Sequence, residues 1–197
     1  MLPFDFLSPF IELIAAILGF IYVYLIATEK ASGWIFGIAS AFFYAIFFQR
    51  SETWGLFSQQ IAYIILGFYG LATWSDKKDQ LPVRSIGKTI WIWAVCGVGV
   101  GLIFLILTGY IASDQAGNTP DYSITKILDA QFFVFSLIAT WLTTRKVLEN
   151  WHVWIVVNSV GIFWFITEHW WSTAVLYLAY LILAINGLRK WKKALSA

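Results

Sequence analysis

Seven apolar stretches divide the 197-residue chain, and each is close to the length that a helix needs to cross a lipid bilayer. A bilayer requires roughly 17 to 25 helical residues per crossing. With 60% hydrophobic and 12% charged residues, the chain is too apolar for a soluble domain. We therefore predict an all-α integral membrane protein embedded in the lipid bilayer. The seven predicted transmembrane helices are Pro9 to Ala27, Gly33 to Phe48, Trp54 to Trp74, Ile90 to Ile111, Ile124 to Thr143, Trp151 to Ile166 and Ser172 to Leu188.

Lysine and arginine are distributed unequally between the two sides that these helices define. Arg50 and Lys126 fall on one side. The other side carries Lys30, Lys77, Lys78, Arg84, Lys88, Arg145, Lys146, Arg189, Lys190, Lys192 and Lys193. The positive-inside rule then predicts an external N-terminus and a cytoplasmic C-terminus. Because the basic residues form short clusters between apolar segments, we expect no nucleic-acid partner.

The chain also matches itself at an offset of 117 residues, which indicates an internal repeat. The tryptophan pairs in this register are Trp34 with Trp151, Trp54 with Trp171 and Trp74 with Trp191. One helix separates the matching triplets, so both triplets cross the membrane in the same direction, as in a parallel transporter repeat. The predicted units are residues 1–75 and 123–197, joined by a linker helix with flanking loops at 76–122. We expect a substrate site between the units near mid-membrane.

Two tryptophans and one amide form a candidate binding wall on the sixth helix. Trp151, Trp154 and Asn158 stand at i, i+3 and i+7, and therefore share a stripe. Aromatic rings can stack on a flat ring, cationic rings included, and a buried amide requires a hydrogen-bond partner. The alternative is an interfacial tryptophan belt with a helix-packing asparagine.

Acidic residues within the spans are further candidates, because a charge in the bilayer is costly. Glu12 and Asp129 coincide at the repeat offset. They could attract a cationic substrate or line its outer entrance. Alternatively, both carboxylates are tolerated because they lie near the N-terminal ends of their helices.

Amide and hydroxyl side chains in the spans suit a neutral polar ligand. Gln60 coincides with Tyr177 in the repeat, and Gln59 is its neighbour. These groups could bind ribose hydroxyls or a carboxamide, whereas the alternative is hydrogen bonding between helices. The weaker candidates are Ser40, Tyr44, Gln131 and Ser136.

Motifs of catalytic or metal sites are absent from the sequence. It contains no nucleophile elbow, no His-Glu-x-x-His motif and no pair of catalytic carboxylates. Cys96 is the single cysteine, and His152 and His169 lack a second ligand at metal spacing. We therefore expect neither an enzyme nor a metal site, and no cofactor.

Motifs in both halves carry a family resemblance. The first half contributes Glu12, the Gly37 and Ser40 region, Gln60 and the Tyr69-Gly70 to Trp74 ending. The second contributes Thr144-Arg145-Lys146, Glu149-Asn150-Trp151, Trp154, Asn158, Tyr177, Asn186-Gly187, Arg189 and Trp191. With these motifs the chain resembles the Pnu family of bacterial vitamin transporters, from Glu12 to Trp191.

The resemblance implies a three-plus-one-plus-three fold related to the SWEET sugar transporters, in a homotrimer in the bacterial plasma (inner) membrane. It implies facilitated diffusion of nicotinamide riboside, which cytoplasmic phosphorylation then traps. The binding-site candidates carried over are Gln60, Trp151, Trp154, Asn158 and Tyr177. Thiamine is the main alternative substrate, because its thiazolium is also a flat cation, and relatives with this fold carry riboflavin or deoxynucleosides instead. A non-transporting sensor or assembly protein is the alternative from another functional class.

Overall fold

Helices account for nearly all of the chain that the structure describes. The computed structural model describes residues 4–50, 54–75, 81–116, 124–167 and 171–196. The helices are α1 (Phe4–Ala27), α2 (Gly33–Arg50), α3 (Trp54–Ser75), α4 (Ile90–Ala116), α5 (Ile124–Thr144), α6 (Asn150–Thr167) and α7 (Trp171–Leu195), with a 3-10 helix at Gly87–Thr89. The prediction of seven helices is therefore confirmed.

Five of the seven helices are long and apolar enough to cross a membrane by length and composition. These spans are Pro9–Ala27, Leu56–Ser75, Gly87–Thr108, Lys126–Thr144 and Thr173–Leu195. The other two helices, α2 and α6, have 18 residues each. They correspond to the two shortest stretches predicted from the sequence. The chain is thus a multi-pass membrane protein.

Six helices pack side by side in a closed ring. Among the described residues, each helix contacts the next in the order α1, α2, α3, α5, α6, α7, and α7 returns to α1. The ring omits α4, which packs on α5 and on the 3-10 helix that precedes it. The two halves therefore meet along two seams, α3 with α5 and α1 with α7.

The polarity of the bundle is inverted relative to a soluble protein. Large apolar side chains are exposed on its outer surface, including Leu13, Ile65, Val95, Phe163 and Val175. Polar side chains are buried inside, including Ser40, Gln59, Gln60, Ser136, Thr140 and Asn158. Such a surface is compatible with lipid tails, and the buried polar groups require partners inside the protein or on a ligand.

The ends of α1, α3 and α5 meet near the last turns of α7, and we call this the basic end of the bundle. Trp74 of α3 donates its indole N–H to the carbonyl of Thr144 at 3.1 Å. Trp191 of α7 donates its indole N–H to the carbonyl of Ile26 at 3.3 Å. Each tryptophan thus binds a carbonyl at the end of the other half's first helix, where carbonyls lack intrahelical partners.

Four tryptophans fill the basic end, and we call them the tryptophan cluster. Trp34, Trp151 and Trp191 are at most 2% exposed, and Trp74 packs against them. The ring of Trp34 lies against Gly70, and the ring of Trp151 lies against Gly187. These two contacts are related by the 117-residue offset. Because glycine has no Cβ, each large ring can approach the neighbouring helix closely.

Helix α7 continues seven residues past the predicted end at Leu188 and stops at Leu195. Asn186 and Gly187 therefore lie within the helix and not at its C-terminal cap. The missing side chain of Gly187 leaves room for the ring of Trp151 to pack against the helix. The extra turns carry Trp191, which is fully buried.

We predict that Gly187→Ala destabilises the protein. A Cβ at this position would lie 2.6 Å from the Trp151 ring, and such overpacking typically costs about 1 to 3 kcal/mol. The measurement is the apparent melting temperature of the detergent-purified protein. Gly99→Ala is the matched control, because a Cβ on Gly99 of α4 would meet nothing within 4 Å. Equal melting temperatures for the two variants would contradict this packing.

Candidate functional site

Five tyrosines from four helices lie close together between the helices, and we call them the tyrosine cluster. Its members are Tyr22 of α1, Tyr44 of α2, Tyr63 of α3, and Tyr177 and Tyr180 of α7. The Tyr63 hydroxyl interacts electrostatically with the hydroxyls of Tyr22 and Tyr177. The hydroxyls of Tyr44 and Tyr180 interact in the same way with that of Tyr177. The rings of Tyr177 and Tyr180 are 6.2 Å apart. The cluster therefore joins the first three helices to the last.

Three polar side chains, from α1, α3 and α5, lie near this cluster. The amide nitrogen of Gln59 donates to the Tyr63 hydroxyl at 3.0 Å. Ser136 of α5 also lies near the Tyr63 hydroxyl. Glu12 of α1 lies within electrostatic reach of Tyr44. Hydroxyl, amide and carboxylate groups from both halves thus converge on one region of the bundle.

Ser40 lies at the edge of the tyrosine cluster. A Cβ on Gly19 of α1 would lie 2.8 Å from the Tyr180 hydroxyl oxygen and 3.1 Å from the Ser40 hydroxyl oxygen. Ser40 donates its own hydrogen bond to the carbonyl of Ala15 at 2.7 Å. Its hydroxyl is therefore committed as a donor, and it is free to act only as an acceptor.

Two amides, Gln60 of α3 and Asn158 of α6, are buried on opposite halves. Gln60 is 7% exposed and Asn158 is 4% exposed. Gly161, one turn beyond Asn158, packs against the ring of Tyr177. Within the described part of the chain, neither amide makes a hydrogen bond to protein. Because buried amides are normally paired, these two groups are the clearest candidates for ligand contact.

The structure places Trp151 away from the tyrosine cluster. Trp151 is 2% exposed, and its ring packs on Gly187 and edge-on against Trp191 at 5.3 Å. Ten residues separate it from Gly161 along α6, a rise of about 15 Å. Trp154 is half-buried and packs against the core that contains Trp151. The predicted stripe therefore runs from the basic end, at Trp151, toward the tyrosine cluster.

Trp151 nevertheless retains one unused polar group. Its indole N–H is buried and has no hydrogen-bond partner among the described residues, and the same is true of Trp34, the residue 117 positions earlier. The indole N–H groups of Trp74 and Trp191, by contrast, bind backbone carbonyls. An unpaired buried donor costs about 1 to 3 kcal/mol. These two indoles are thus unsatisfied donors within the tryptophan cluster.

The two acidic candidates are placed differently. Glu12 is an exposed residue of α1. It approaches the tyrosine cluster through Tyr44. Asp129 belongs to α5, and its side chain lies outside the described residues.

Sequence reasoning missed three members of the tyrosine cluster as site residues: Tyr22, Tyr63 and Tyr180. Tyr63 and Tyr180 coincide at the repeat offset, and this coincidence was the available signal. Tyr22 has no such signal. It is brought to the cluster because its ring packs on Gly37 of α2.

A second polar network connects the halves at the basic end. Arg145 donates to the hydroxyl of Tyr69 and lies over the ring of Trp141. Lys146 forms an ion pair with Glu29 at 3.0 Å. The segment after α5 therefore binds residues from both α3 and the end of α1.

Glu149 attaches the linker before α4 to the segment between α5 and α6. Its carboxylate accepts hydrogen bonds from the Ser85 hydroxyl and from the backbone N–H groups of Ile86 and Gly87. Beside it, the Arg84 N–H donates to the Lys146 carbonyl at 3.0 Å. Burial opposes ionisation of Glu149, but these donors hold its pKa below the usual range.

An apolar exterior and a polar interior of hydroxyls and amides define a multi-pass membrane protein suited to passing a small polar solute. The profile of the nicotinamide mononucleotide transporter family matches residues 9–193. The chain therefore belongs to this family, and it is a transporter rather than an enzyme.

Curated relatives of the chain include vitamin transporters. It is 25% identical over 201 residues to the nicotinamide riboside transporter PnuC of Escherichia coli (strain K12), covering 92% of this chain and 84% of the relative. It is 23% identical over 144 residues to the riboflavin/roseoflavin transporter RibM of Streptomyces davaonensis, covering 70% and 63%. The crystal structure of the vitamin B3 transporter PnuC has the same fold. Its TM-score is 0.69 at 21% identity, covering 95% of this chain and 82% of that one.

We predict that Glu149→Gln lowers stability at neutral pH and that this loss disappears in acid. Because the folded-state pKa of Glu149 is below its usual value, its stabilisation is present above the unfolded pKa of about 4.3 and is lost as the pH falls further. Melting temperatures from pH 7 to pH 3 test this. Ser85→Ala, which removes one of the donors, should cause a smaller loss. A difference between parent and Glu149→Gln that is constant with pH would contradict this role.

Proposed function

We propose that this transporter takes up nicotinamide riboside by facilitated diffusion, with alternating access between two three-helix repeats. The observation that carries the proposal is the pair of buried amides, Gln60 and Asn158, which lie on opposite halves and have no hydrogen-bond partner among the described residues. A carboxamide and a ribose offer donors and acceptors that match amides and phenolic hydroxyls. Trp154 and the tyrosine rings offer faces on which a flat pyridinium can rest.

The chemistry of the cluster supports a riboside rather than a mononucleotide. The cluster carries hydroxyls, with the amide of Gln59 beside it, and the charge found near it among the described residues is the carboxylate of Glu12. No lysine or arginine is among the residues described in the cluster. A phosphate dianion would lose its hydration there without gaining a cation, whereas the net positive riboside would not.

The proposed architecture is three helices, a linker helix and three helices, with the parallel arrangement of the SWEET transporters. Its units are residues 1–75 and 123–197, with 76–122 as the linker. The closed ring and the matching tryptophan-glycine contacts support it. The basic end lies in the cytoplasm of a bacterium and the N-terminus outside its plasma membrane, as positive-inside bias indicates. We propose that the protein assembles as a homotrimer.

Proposed contacts to the riboside come from both halves. Gln60 and Asn158 bind the carboxamide or ribose, Tyr177 and Gln59 the hydroxyls, and Trp154 stacks on the ring. Trp151 lies at the basic end of the same stripe, and its indole N–H has no partner among the described residues. Ser40 accepts a hydrogen bond at the edge, and Glu12 and Asp129 attract the cation at the outer entrance.

Thiamine is the second candidate substrate, because the same aromatic faces would accept its thiazolium. Riboflavin is a third ligand to test, because one relative is named a riboflavin/roseoflavin transporter. The experiment is calorimetric titration of the purified protein with nicotinamide riboside, nicotinamide mononucleotide, thiamine and riboflavin. Binding of the riboside without the mononucleotide is expected. Binding of thiamine alone would overturn the substrate assignment, and binding of none would overturn transport of these vitamins.

We predict that Tyr177→Phe and Gln60→Leu each weaken riboside binding about ten-fold, the loss expected for one hydrogen bond made only to ligand. Tyr24→Phe is the matched control, because Tyr24 is 51% exposed on the outer surface of α1. Calorimetry measures all three variants. An unchanged dissociation constant in Gln60→Leu would remove that amide from the site.

We predict that uptake of the riboside into proteoliposomes continues after the proton gradient is collapsed, because facilitated diffusion needs only a substrate gradient. Trp154→Ala should reduce this flux toward background, because it removes the proposed stacking surface. Flux of radiolabelled riboside with and without a protonophore is the measurement. Loss of parental uptake with the protonophore would indicate proton coupling.

A further inference from the structure

Glu29 and Lys146 occupy equivalent positions in the two halves and share an unusual backbone conformation. They are 117 residues apart, and their φ angles are 57° and 49°. Each follows the end of its half's first helix and closes it with the same bonds: Lys30 N–H to Leu25 O and Val147 N–H to Leu142 O, both 3.0 Å. This is the Schellman arrangement of a helix C-terminus.

Glycine is the residue that normally occupies the left-handed position of such a cap. Here the position carries Glu29 in one half and Lys146 in the other, of opposite charge. Their side chains bind each other, with Lys146 Nζ 3.0 Å from Glu29 Oε2. The ammonium also lies 4.8 Å from the centre of the Trp74 ring. Both halves thus have a charged residue at a backbone position that favours glycine. Such strain, together with the complementary charges, suggests that the two side chains have a functional role.

Equivalent residues of two parallel repeats can contact each other only near the axis that relates the repeats. Glu29 and Lys146 meet this condition, and so do Trp74 and Trp191, whose ring centres are 6.0 Å apart. The ion pair therefore crosses the line between the halves at the basic end. It is the one ion pair found within the described ranges. Separating the halves at this end requires the pair to break.

We propose that Glu29 and Lys146 form the gate at the basic end, closed here and broken when the transporter opens toward that side. The inference rests on the alternating access proposed above. In this role Glu29 and Lys146 are positioning residues, because they hold the two halves together at the basic end and do not contact the substrate. The charges pair in one conformation and separate to solvent in the other.

The surroundings of the pair suit a contact that breaks and re-forms. A cavity of about 330 Å³ adjoins it, lined by Glu29, Ala31, Trp74, Leu81, Pro82 and Lys146. The side chains of Lys146 and Glu29 are 13% and 32% exposed, so water reaches both. Ion pairs that water reaches are weak, because the charges are well solvated when they separate. A weak pair can bias the two conformations without locking either.

The test measures access to a cysteine behind the gate. Thr140→Cys is placed in a Cys96→Ser background, because Thr140 is 5% exposed and lies one turn inward from the end of α5. A membrane-impermeant maleimide is applied from the basic-end side of vesicles. Glu29→Lys and Lys146→Glu should each speed labelling about five-fold or more, because like charges then face each other. The double variant E29K/K146E should restore the parental rate.

Lys190→Glu is the control for a charge change at the same end, because Lys190 lies over Tyr24 rather than in the pair. Its labelling rate should equal that of the parent. A double variant that labels as fast as the single variants, or a Lys190→Glu variant that labels as fast as they do, would overturn the gate. Labelling needs no ligand, so failure of the parent to bind any vitamin would overturn the proposed function separately.

Discussion

The two halves of this transporter depend on a pair of indole hydrogen bonds that cross between them. The last carbonyls of a helix have no partner within that helix, and in an apolar environment each must find one. Trp74 satisfies such a carbonyl on α5, and Trp191 satisfies one on α1. Because both bonds cross the seams, they join the halves at the basic end. The Thr144 carbonyl has its partners, Thr73 and Trp74, in the other half.

The closed basic end bears on the role of the polar groups between the helices. Tyrosine hydroxyls and two amides between the helices would be costly in a bundle that served only to cross the membrane. The basic end is closed by the tryptophan cluster and by the Glu29–Lys146 ion pair, and the proposed function assigns the same hydroxyls and amides to solute binding. The tryptophan rings pack the two halves together at this end, and the ion pair is the contact that we propose breaks when the end opens.

Hydropathy and repetition predicted the helices well, because both are local properties of the chain. Whether a stretch of about 20 residues is apolar enough for a helical span does not depend on its neighbours, so all seven helices were found. The end of α7 was predicted wrongly because a glycine in a sequence can mark either the C-terminus of a helix or a position where a large ring packs closely. Only its contact with Trp151 distinguishes the two.

By itself, the sequence determined that the chain is helical, membrane-embedded and internally repeated, and it nominated Gln60, Asn158 and Tyr177 for the interior. The tertiary structure alone decided that Trp151 packs into the basic end and that Tyr22, Tyr63 and Tyr180 meet Tyr177. It also decided that Glu29 faces Lys146. The reason is physical: hydropathy and spacing reside in neighbouring residues, whereas the partner of a side chain depends on how distant helices pack.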